Sequence, residues 1–155
     1  RLARGEYVTF LDADDIWPEK RLQMLMAPFL NDTEIEMAFG RLHNFLSPEV
    51  IGKKEILESL SEPMNGICPG TMLIKKESFL KVGYFKAEWT VTEFLDWYLH
   101  AKELNLKTAW VQELVLERRL HENNNTFVHR KQLPSEFARA LKTSLERQRE
   151  KKPTL

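Results

Sequence analysis

Cysteine and long apolar runs are what this sequence has least of. Cys68 is the one cysteine among 155 residues, so no disulfide can form within the chain, and such sparse cysteine fits a reducing compartment. No apolar run approaches the roughly 20 residues that a membrane-spanning helix needs, and no signal-peptide pattern is present. We therefore expect a cytoplasmic chain without a transmembrane segment, either free or held at a membrane surface.

An excess of charge of one sign is also absent. Lys and Arg together number 23, Asp and Glu together number 23, and the pI is near 7.1. Because the chain has no strong global field, its composition indicates neither a nucleic-acid partner nor an anionic membrane. The length is sufficient for one compact domain with a hydrophobic core.

What stands out is a group of three carboxylates directly after an apolar segment. The run Tyr7–Leu11 is rich in apolar and β-branched residues and predicts a buried central strand. Asp12, Asp14 and Asp15 follow it, and such crowding is electrostatically costly unless a cation lies nearby. A divalent metal with oxygen ligands would meet that need. The alternative is that these aspartates only cap the next helix, a role that Asp15 could fill, although one aspartate would suffice for that purpose.

Apolar segments of helical and strand period alternate along the rest of the chain. Helices are predicted from Pro18 to Asn31, Lys53 to Leu60, Glu77 to Val82, Thr92 to Leu106 and Ser135 to Lys152. A strand is predicted at Thr71–Ile74, one or two strands at Lys107–Leu120, and a strand or hairpin at Glu34–Phe45. This alternation predicts an α/β fold with a mixed sheet flanked by helices. We expect one domain over residues 1–130 and a charged helical tail over 131–155.

Several of these segments, taken in order, resemble one enzyme family. One stretch resembles the Asp-x-Asp signature of family 2 glycosyltransferases, which have the GT-A fold. It is Ala3-Arg4-Gly5-Glu6-Tyr7-Val8-Thr9-Phe10-Leu11-Asp12-Ala13-Asp14-Asp15-Ile16-Trp17-Pro18-Glu19-Lys20. The likeness continues in order through Gly70–Ile74, Phe79–Phe85, Glu93–Leu99 and Arg118–Asn123.

This resemblance implies a nucleotide-diphosphate sugar as donor, a divalent metal such as Mn or Mg, and an acceptor hydroxyl. It places Asp14 as the main metal ligand, Asp12 near the ribose or the metal, and His121 as a further metal ligand. Arg118 is a candidate for a diphosphate contact. The alternatives are that His121 is a surface histidine before an Asn-rich turn, and that Arg118 pairs at the surface.

The resemblance begins at the Asp-x-Asp strand, which lies well inside the family's domain. We therefore expect a partial GT-A fold that lacks the N-terminal nucleotide-binding strands, and an exposed sheet edge beside Tyr7–Leu11 through which the chain forms homo-oligomers. An alternative function follows, in which the chain is an inactive remnant that acts as an interaction module. Haloacid-dehalogenase phosphatases also begin with a strand ending in Asp-x-Asp, but here Ile16 stands where that pattern has Thr or Val.

The general base of the reaction has to be assigned separately. Many inverting members have Glu-Asp at the start of the acceptor-side helix, whereas here Glu93 is followed by Phe94. Helical spacing places Glu93, Asp96 and His100 on one face, opposite an apolar face. Glu93 is the first candidate for the base and Asp96 the second. The alternative is that this acidic face is simply solvated.

Overall fold

The structure is a computed structural model that describes residues 2–50 and 62–151. The predicted helix Lys53–Leu60 lies outside the described residues. The chain forms two compact units: unit 1 comprises Arg1–Phe79 and Lys107–Glu122, and unit 2 comprises Leu80–Leu106 and Asn123–Leu155. Among the described residues, no helix combines the length and the apolar character that crossing a membrane requires.

Unit 1 is built on a mixed five-stranded sheet. Its strands are β1 (Tyr7–Thr9), β2 (Met37–Leu46), β3 (Met64–Asn65), β4 (Met72–Lys75) and β5 (Thr108–Leu120). The order is β1-β4-β2-β3, and β5 pairs with β2. The β2–β5 pair is parallel, and the other pairs are antiparallel. The predicted mixed α/β architecture is confirmed.

Helix α1 (Arg21–Asn31) covers one face of this sheet. Leu25 and Phe29 are its buried apolar residues, and the Phe29 ring meets Tyr7 edge-on at 5.1 Å between ring centroids. The buried members of this core are Leu25, Phe29, Ile35, Ala38, Leu73, Val111 and Val115. Gly40 permits the close approach of β2 and β5, because a Cβ there would lie 2.6 Å from both methyl groups of Val115.

The strand before the aspartates differs from its prediction. It ends at Thr9 rather than at Leu11, and its residues are only half-buried. Within the described residues β1 pairs with β4 alone, so it lies at the end of the sheet and is not a central strand. The segment predicted as a strand or hairpin, Glu34–Phe45, overlaps a single long strand, β2, whose partners β4 and β5 come from distant parts of the chain.

The start of α1 also differs from the prediction. Lys20, with φ of 64°, precedes the first helical residue, Arg21, and Asp15 does not cap the helix. Arg21 explains this start, because its guanidinium is drawn into the interior beside the sheet. It donates to the carbonyls of Val115 at 2.9 Å and Gly70 at 2.7 Å, and to the Thr9 hydroxyl at 2.8 Å. Burial lowers the pKa of Arg21 to about 10.

Unit 2 is helical. Its main helices are α3 (Glu93–Glu103) and α5 (Leu133–Glu150), with the short α4 (Asn125–Val128) between them in sequence. Helix α2 (Lys76–Val82) follows β4 and reaches from unit 1 into unit 2. The apolar face predicted for the Thr92–Leu106 helix is confirmed, since Phe94, Trp97 and Ala101 are buried.

Candidate active site

The loop that follows β1 is fastened to the end of β5. Ile16 and Glu117 exchange two backbone hydrogen bonds, each 2.9 Å long. Arg119 adds two hydrogen bonds that each involve one side-chain atom. Its backbone N–H donates to Asp15 Oδ1 and its Nε donates to the backbone carbonyl of Asp14, both at 3.0 Å. The three aspartates are therefore held beside the carboxyl end of a strand roughly a hundred residues later in the sequence.

Asp14 and His121 are in direct contact at this place. Asp14 Oδ2 and His121 Nε2 are 2.7 Å apart, and the two side chains are 36% and 22% exposed. The hydrogen bond with His121 is the main reason that the pKa of Asp14 lies below its ordinary value, so the carboxylate stays ionised. The structure thus brings together two residues that the resemblance had assigned to one metal.

The neighbouring carboxylates behave differently from Asp14. Burial, together with the negative charges of Asp14 and Asp12, raises the pKa of Asp15, although the Arg119 backbone N–H opposes that shift. Asp12 is exposed, and its carbonyl accepts the backbone N–H of Asp15 at 3.2 Å. Arg118 is close enough that its positive charge lowers the pKa of both Asp14 and Asp15.

One carboxylate of this neighbourhood was not expected from the sequence. Glu49 lies in the turn after β2 and accepts a hydrogen bond from the Ser47 hydroxyl at 2.7 Å. That bond is the main reason for its lowered pKa, and the charges of Arg119 and His121 lower the pKa further. The parallel pairing of β2 with β5, which sets Leu46 opposite Leu120, brings Glu49 here. The position of Glu49 near the candidate site follows only from the strand pairing, which the sequence does not indicate.

The residues present fit a divalent ion that takes part of its coordination from a substrate. Asp14 offers an oxygen and His121 a nitrogen, and both are partly exposed. In the described part of the chain, no group of three or more His, Cys, Asp or Glu side chains is arranged to hold a metal. Magnesium sites of the phosphate-binding kind use one or two carboxylates and leave the remaining positions to phosphate and water. The carboxylate oxygen suits Mg or Mn, whereas an imidazole nitrogen is a ligand more typical of transition metals such as Zn or Fe.

The two candidate bases lie in unit 2, on α3, in different environments. Glu93 is the first residue of the helix and is half-buried, and its Oε2 is buried with no hydrogen-bond partner among the described residues. Asp96 is 3% exposed and accepts from Arg147 at 2.9 Å and from Lys86 at 3.0 Å. The alternative of a solvated acidic face is therefore wrong, because α5 covers Asp96.

The charge of Asp96 is fixed by these partners. Burial alone would raise its pKa, but the hydrogen bonds from Arg147 and Lys86 outweigh burial and hold the pKa below its ordinary value. A carboxylate that is already paired and weakly basic is poorly suited to accept a proton.

The segment that leads into α3 is held by a residue of α5. The Glu136 carboxylate accepts the backbone N–H of Val91 at 2.9 Å and of Thr90 at 3.2 Å, and the Thr92 hydroxyl at 3.2 Å. These bonds fix the residues immediately before Glu93. The sequence carried no signal for this contact, because nothing in a surface glutamate indicates a partner some 45 residues away.

A family model described as glycosyl transferase family 2 matches residues 1–83. This match covers more than half of the 155 residues and includes the loop with Asp12, Asp14 and Asp15. The chain belongs to glycosyltransferase family 2. The resemblance inferred from the Asp-x-Asp signature is thereby confirmed, and the mixed α/β sheet flanked by helices is consistent with a partial GT-A fold.

This family 2 glycosyltransferase chain also has a distant curated relative. It is 25% identical over 133 residues to a protein of Methanocaldococcus jannaschii described as an uncharacterized glycosyltransferase. The alignment covers 80% of the chain and 45% of that protein. The chain thus spans less than half the length of this relative.

Proposed function

We propose that the chain takes part in the transfer of a sugar from a nucleotide-diphosphate donor to an acceptor hydroxyl, with the help of a divalent metal, Mn or Mg. The contact between Asp14 and His121 carries this proposal. It places an ionised carboxylate and an imidazole side by side at the end of β5, within a chain of glycosyltransferase family 2.

The residues of unit 1 would bind the sugar donor. Asp14 and His121 would hold the ion, and Asp12 would lie near the ribose or the ion. When bound, the ion would neutralise the negative charge that develops on the leaving diphosphate. Arg118 would donate hydrogen bonds to phosphate oxygens, since a guanidinium matches phosphate geometry.

Glu93 is the better candidate for the general base. Its buried Oε2 has no hydrogen-bond partner among the described residues. An unpaired buried carboxylate oxygen costs folding free energy, and a catalytic role would explain why it is there. In the proposed step Glu93 removes the proton of the acceptor hydroxyl while that oxygen bonds to the anomeric carbon. The bond from the anomeric carbon to the diphosphate breaks, and the electron pair leaves with the phosphate oxygen.

The donor proposal is tested by thermal unfolding with Mn and uridine diphosphate, each alone and together. A ligand that binds only the folded chain raises the Tm. We expect a rise with the pair, lost in Asp14→Asn, where the charge disappears but the shape remains. Asp32→Asn is the matched control, because Asp32 is a surface carboxylate of unit 1 that pairs with Lys107 instead. No rise with any nucleoside diphosphate would contradict the proposal.

The role of Glu93 is tested in an assay of sugar transfer or of donor hydrolysis. Glu93→Gln should keep the rise in Tm caused by Mn and the nucleotide but reduce turnover about 100-fold or more, the usual contribution of a general base. Asp96→Asn should act through folding, with a lowered Tm. Equal turnover for Glu93→Gln and the unaltered chain would remove Glu93 from the mechanism.

The alternative function, an inactive remnant that serves as an interaction module, is favoured by one observation. Among the described residues β1 pairs on one side only, and an unpaired strand edge invites pairing with another chain. In that case ligands leave the Tm unchanged, and the chain sediments as an oligomer.

A further inference from the structure

The chain has no net charge, yet its C-terminal segment is strongly basic. Between residues 127 and 152 there are eight Lys or Arg and three Glu, so the excess of acidic residues lies elsewhere in the sequence. Most of these cations are exposed; in the described part they are Arg130, Lys131, Arg139, Lys142, Arg149 and Lys151.

The same segment exposes apolar side chains in a regular array. Phe137, Leu141 and Leu145 of α5 are 45%, 50% and 53% exposed and follow one another at intervals of four residues. They therefore form one line along the helix, here named the apolar stripe. Two further apolar residues, Phe127 and Val128 of α4, are 46% and 59% exposed.

The apolar stripe is distinct from the face by which α5 packs on α3. That packing face contains the buried residues Ala140 and Ser144, and Arg147 binds Glu103 at 2.8 Å and Asp96 at 2.9 Å. Ser144 donates to Glu103 at 2.6 Å. These contacts hold the helix in place, so the apolar stripe is presented outward on a fixed scaffold.

Basic side chains accompany the apolar stripe. Lys142 and Arg149 lie on the helix beside it, and Arg130 and Lys131 precede the helix. The acidic residues nearby are Glu146, which pairs with Lys142 at 3.8 Å, Glu88, which pairs with Arg139 at 3.8 Å, and Glu150. An exposed apolar line with Phe and Leu, accompanied by an excess of Lys and Arg, is the composition of helices that lie in the plane of an anionic bilayer. A second copy of the chain fits less well, because two basic surfaces would face each other.

We infer that α4 and α5 dock the chain on an anionic lipid surface. The apolar stripe enters the boundary between headgroups and acyl chains, and the basic side chains contact the lipid phosphates. This inference concerns placement at a membrane and is independent of the proposed sugar transfer.

The test is flotation of the full chain with vesicles of phosphatidylcholine alone or mixed with phosphatidylglycerol. We expect binding to the mixed vesicles only, and weaker binding in salt of about 0.5 M, where charges are screened. The double variant Leu141→Ser/Leu145→Ser should bind at least about tenfold more weakly. The matched control is Leu22→Ser/Leu30→Ser, which changes two leucines of α1 that are 56% and 78% exposed, and it should bind normally.

The contribution of charge is measured separately with Lys131→Gln/Lys142→Gln. Each cation removed should weaken binding roughly fivefold, and circular dichroism checks that every variant is folded. The inference is overturned by absence of binding to the mixed vesicles, or by equal binding of the Leu141→Ser/Leu145→Ser variant. A dimer that this variant dissociates, found together with no lipid binding, would overturn it in favour of self-association.

Discussion

The fold opposes the ionisation of Asp15. Its raised pKa, due first to burial and then to the negative charges of Asp14 and Asp12, means that the ionised form costs folding free energy. Above the pKa of the folded state the carboxylate is charged, and the chain carries this cost in full. As the pH falls to the ordinary value of 3.8 the cost disappears, because Asp15 is then protonated more readily in the folded state.

Asp15→Asn should therefore raise the Tm at pH 7. The amide keeps an oxygen that can accept the Arg119 N–H, which is now 3.0 Å from Asp15 Oδ1, and it carries no charge. The gain should vanish as the pH approaches 3.8, as thermal unfolding followed over a pH series would show. Asp32→Asn is the contrasting control. Lys107 lowers the pKa of Asp32, so removing the charge of Asp32 should lower the Tm. A lower Tm for Asp15→Asn at pH 7 would show that its charge is stabilising.

Some residues of the candidate active site could be identified from sequence motifs. The ordered resemblance named Asp14 and His121 as metal ligands, and the structure brings the two side chains into contact. Their role as ligands stays a prediction. Glu49 and the buried state of Asp96 were not predictable, because each depends on a partner distant in sequence. Periodicity alone places Asp96 on a polar face, and it cannot reveal that Arg147, 51 residues later, covers that face.

Among the elements, the longer helices and strands were predicted within a few residues. The predicted Thr92–Leu106 helix occurs as Glu93–Glu103, and the predicted tail helix Ser135–Lys152 occurs as Leu133–Glu150. Strand order was beyond sequence reasoning. The parallel pairing of β2 with β5 joins segments about 70 residues apart, and it determines which loops meet at the candidate active site.

The attachment of α5 to α3 depends chiefly on Arg147. Its guanidinium serves two carboxylates, Asp96 and Glu103, whose side chains are 4% and 2% exposed. Arg147→Met would leave both buried carboxylates without this cation, and breaking a buried pair costs about 3–5 kcal/mol. We expect a loss of about 3 kcal/mol, at the lower end of that range, since Lys86 still pairs with Asp96.

Urea unfolding measures this loss, and hydrogen exchange locates it in α3 and α5. Lys142→Met is the matched control, because Lys142 lies on the same helix, is exposed, and pairs with Glu146 of that helix. An ion pair of that exposed kind contributes little. Equal losses in the two variants would show that the Arg147 contacts do not hold α5.

In the whole molecule the charges of the two signs are equal in number, but the two units contain different candidate features. Unit 1 contains the family-defining loop and the Asp14–His121 pair, whereas unit 2 contains Glu93 and the basic surface of α4 and α5. The family match ends at residue 83, in the region after α2, so most of unit 2 and all of β5 lie beyond it. The match alone would therefore have yielded Asp14 but not His121.

The stability of the chain toward acid should follow from the carboxylates that the fold keeps ionised. The pKa of Asp96 and of Glu103 is lowered because the hydrogen bonds from Arg147 outweigh the opposing effect of burial. A group with a lowered pKa in the folded state stabilises the fold above its ordinary pKa, here 3.8 for Asp and 4.5 for Glu. That stabilisation is lost as the pH falls through the lower, folded-state value.

The free energy of unfolding should therefore decline steeply below a pH of 4.5, because the unfolded chain then binds more protons than the folded chain. Urea unfolding between neutral pH and pH of about 3 gives this slope. In Arg147→Met the slope should be shallower, since Asp96 and Glu103 lose the cation that keeps their pKa low, while Lys142→Met should retain the slope of the unaltered chain. An unchanged slope in Arg147→Met would mean that other carboxylates, Asp14 among them, account for the sensitivity to acid.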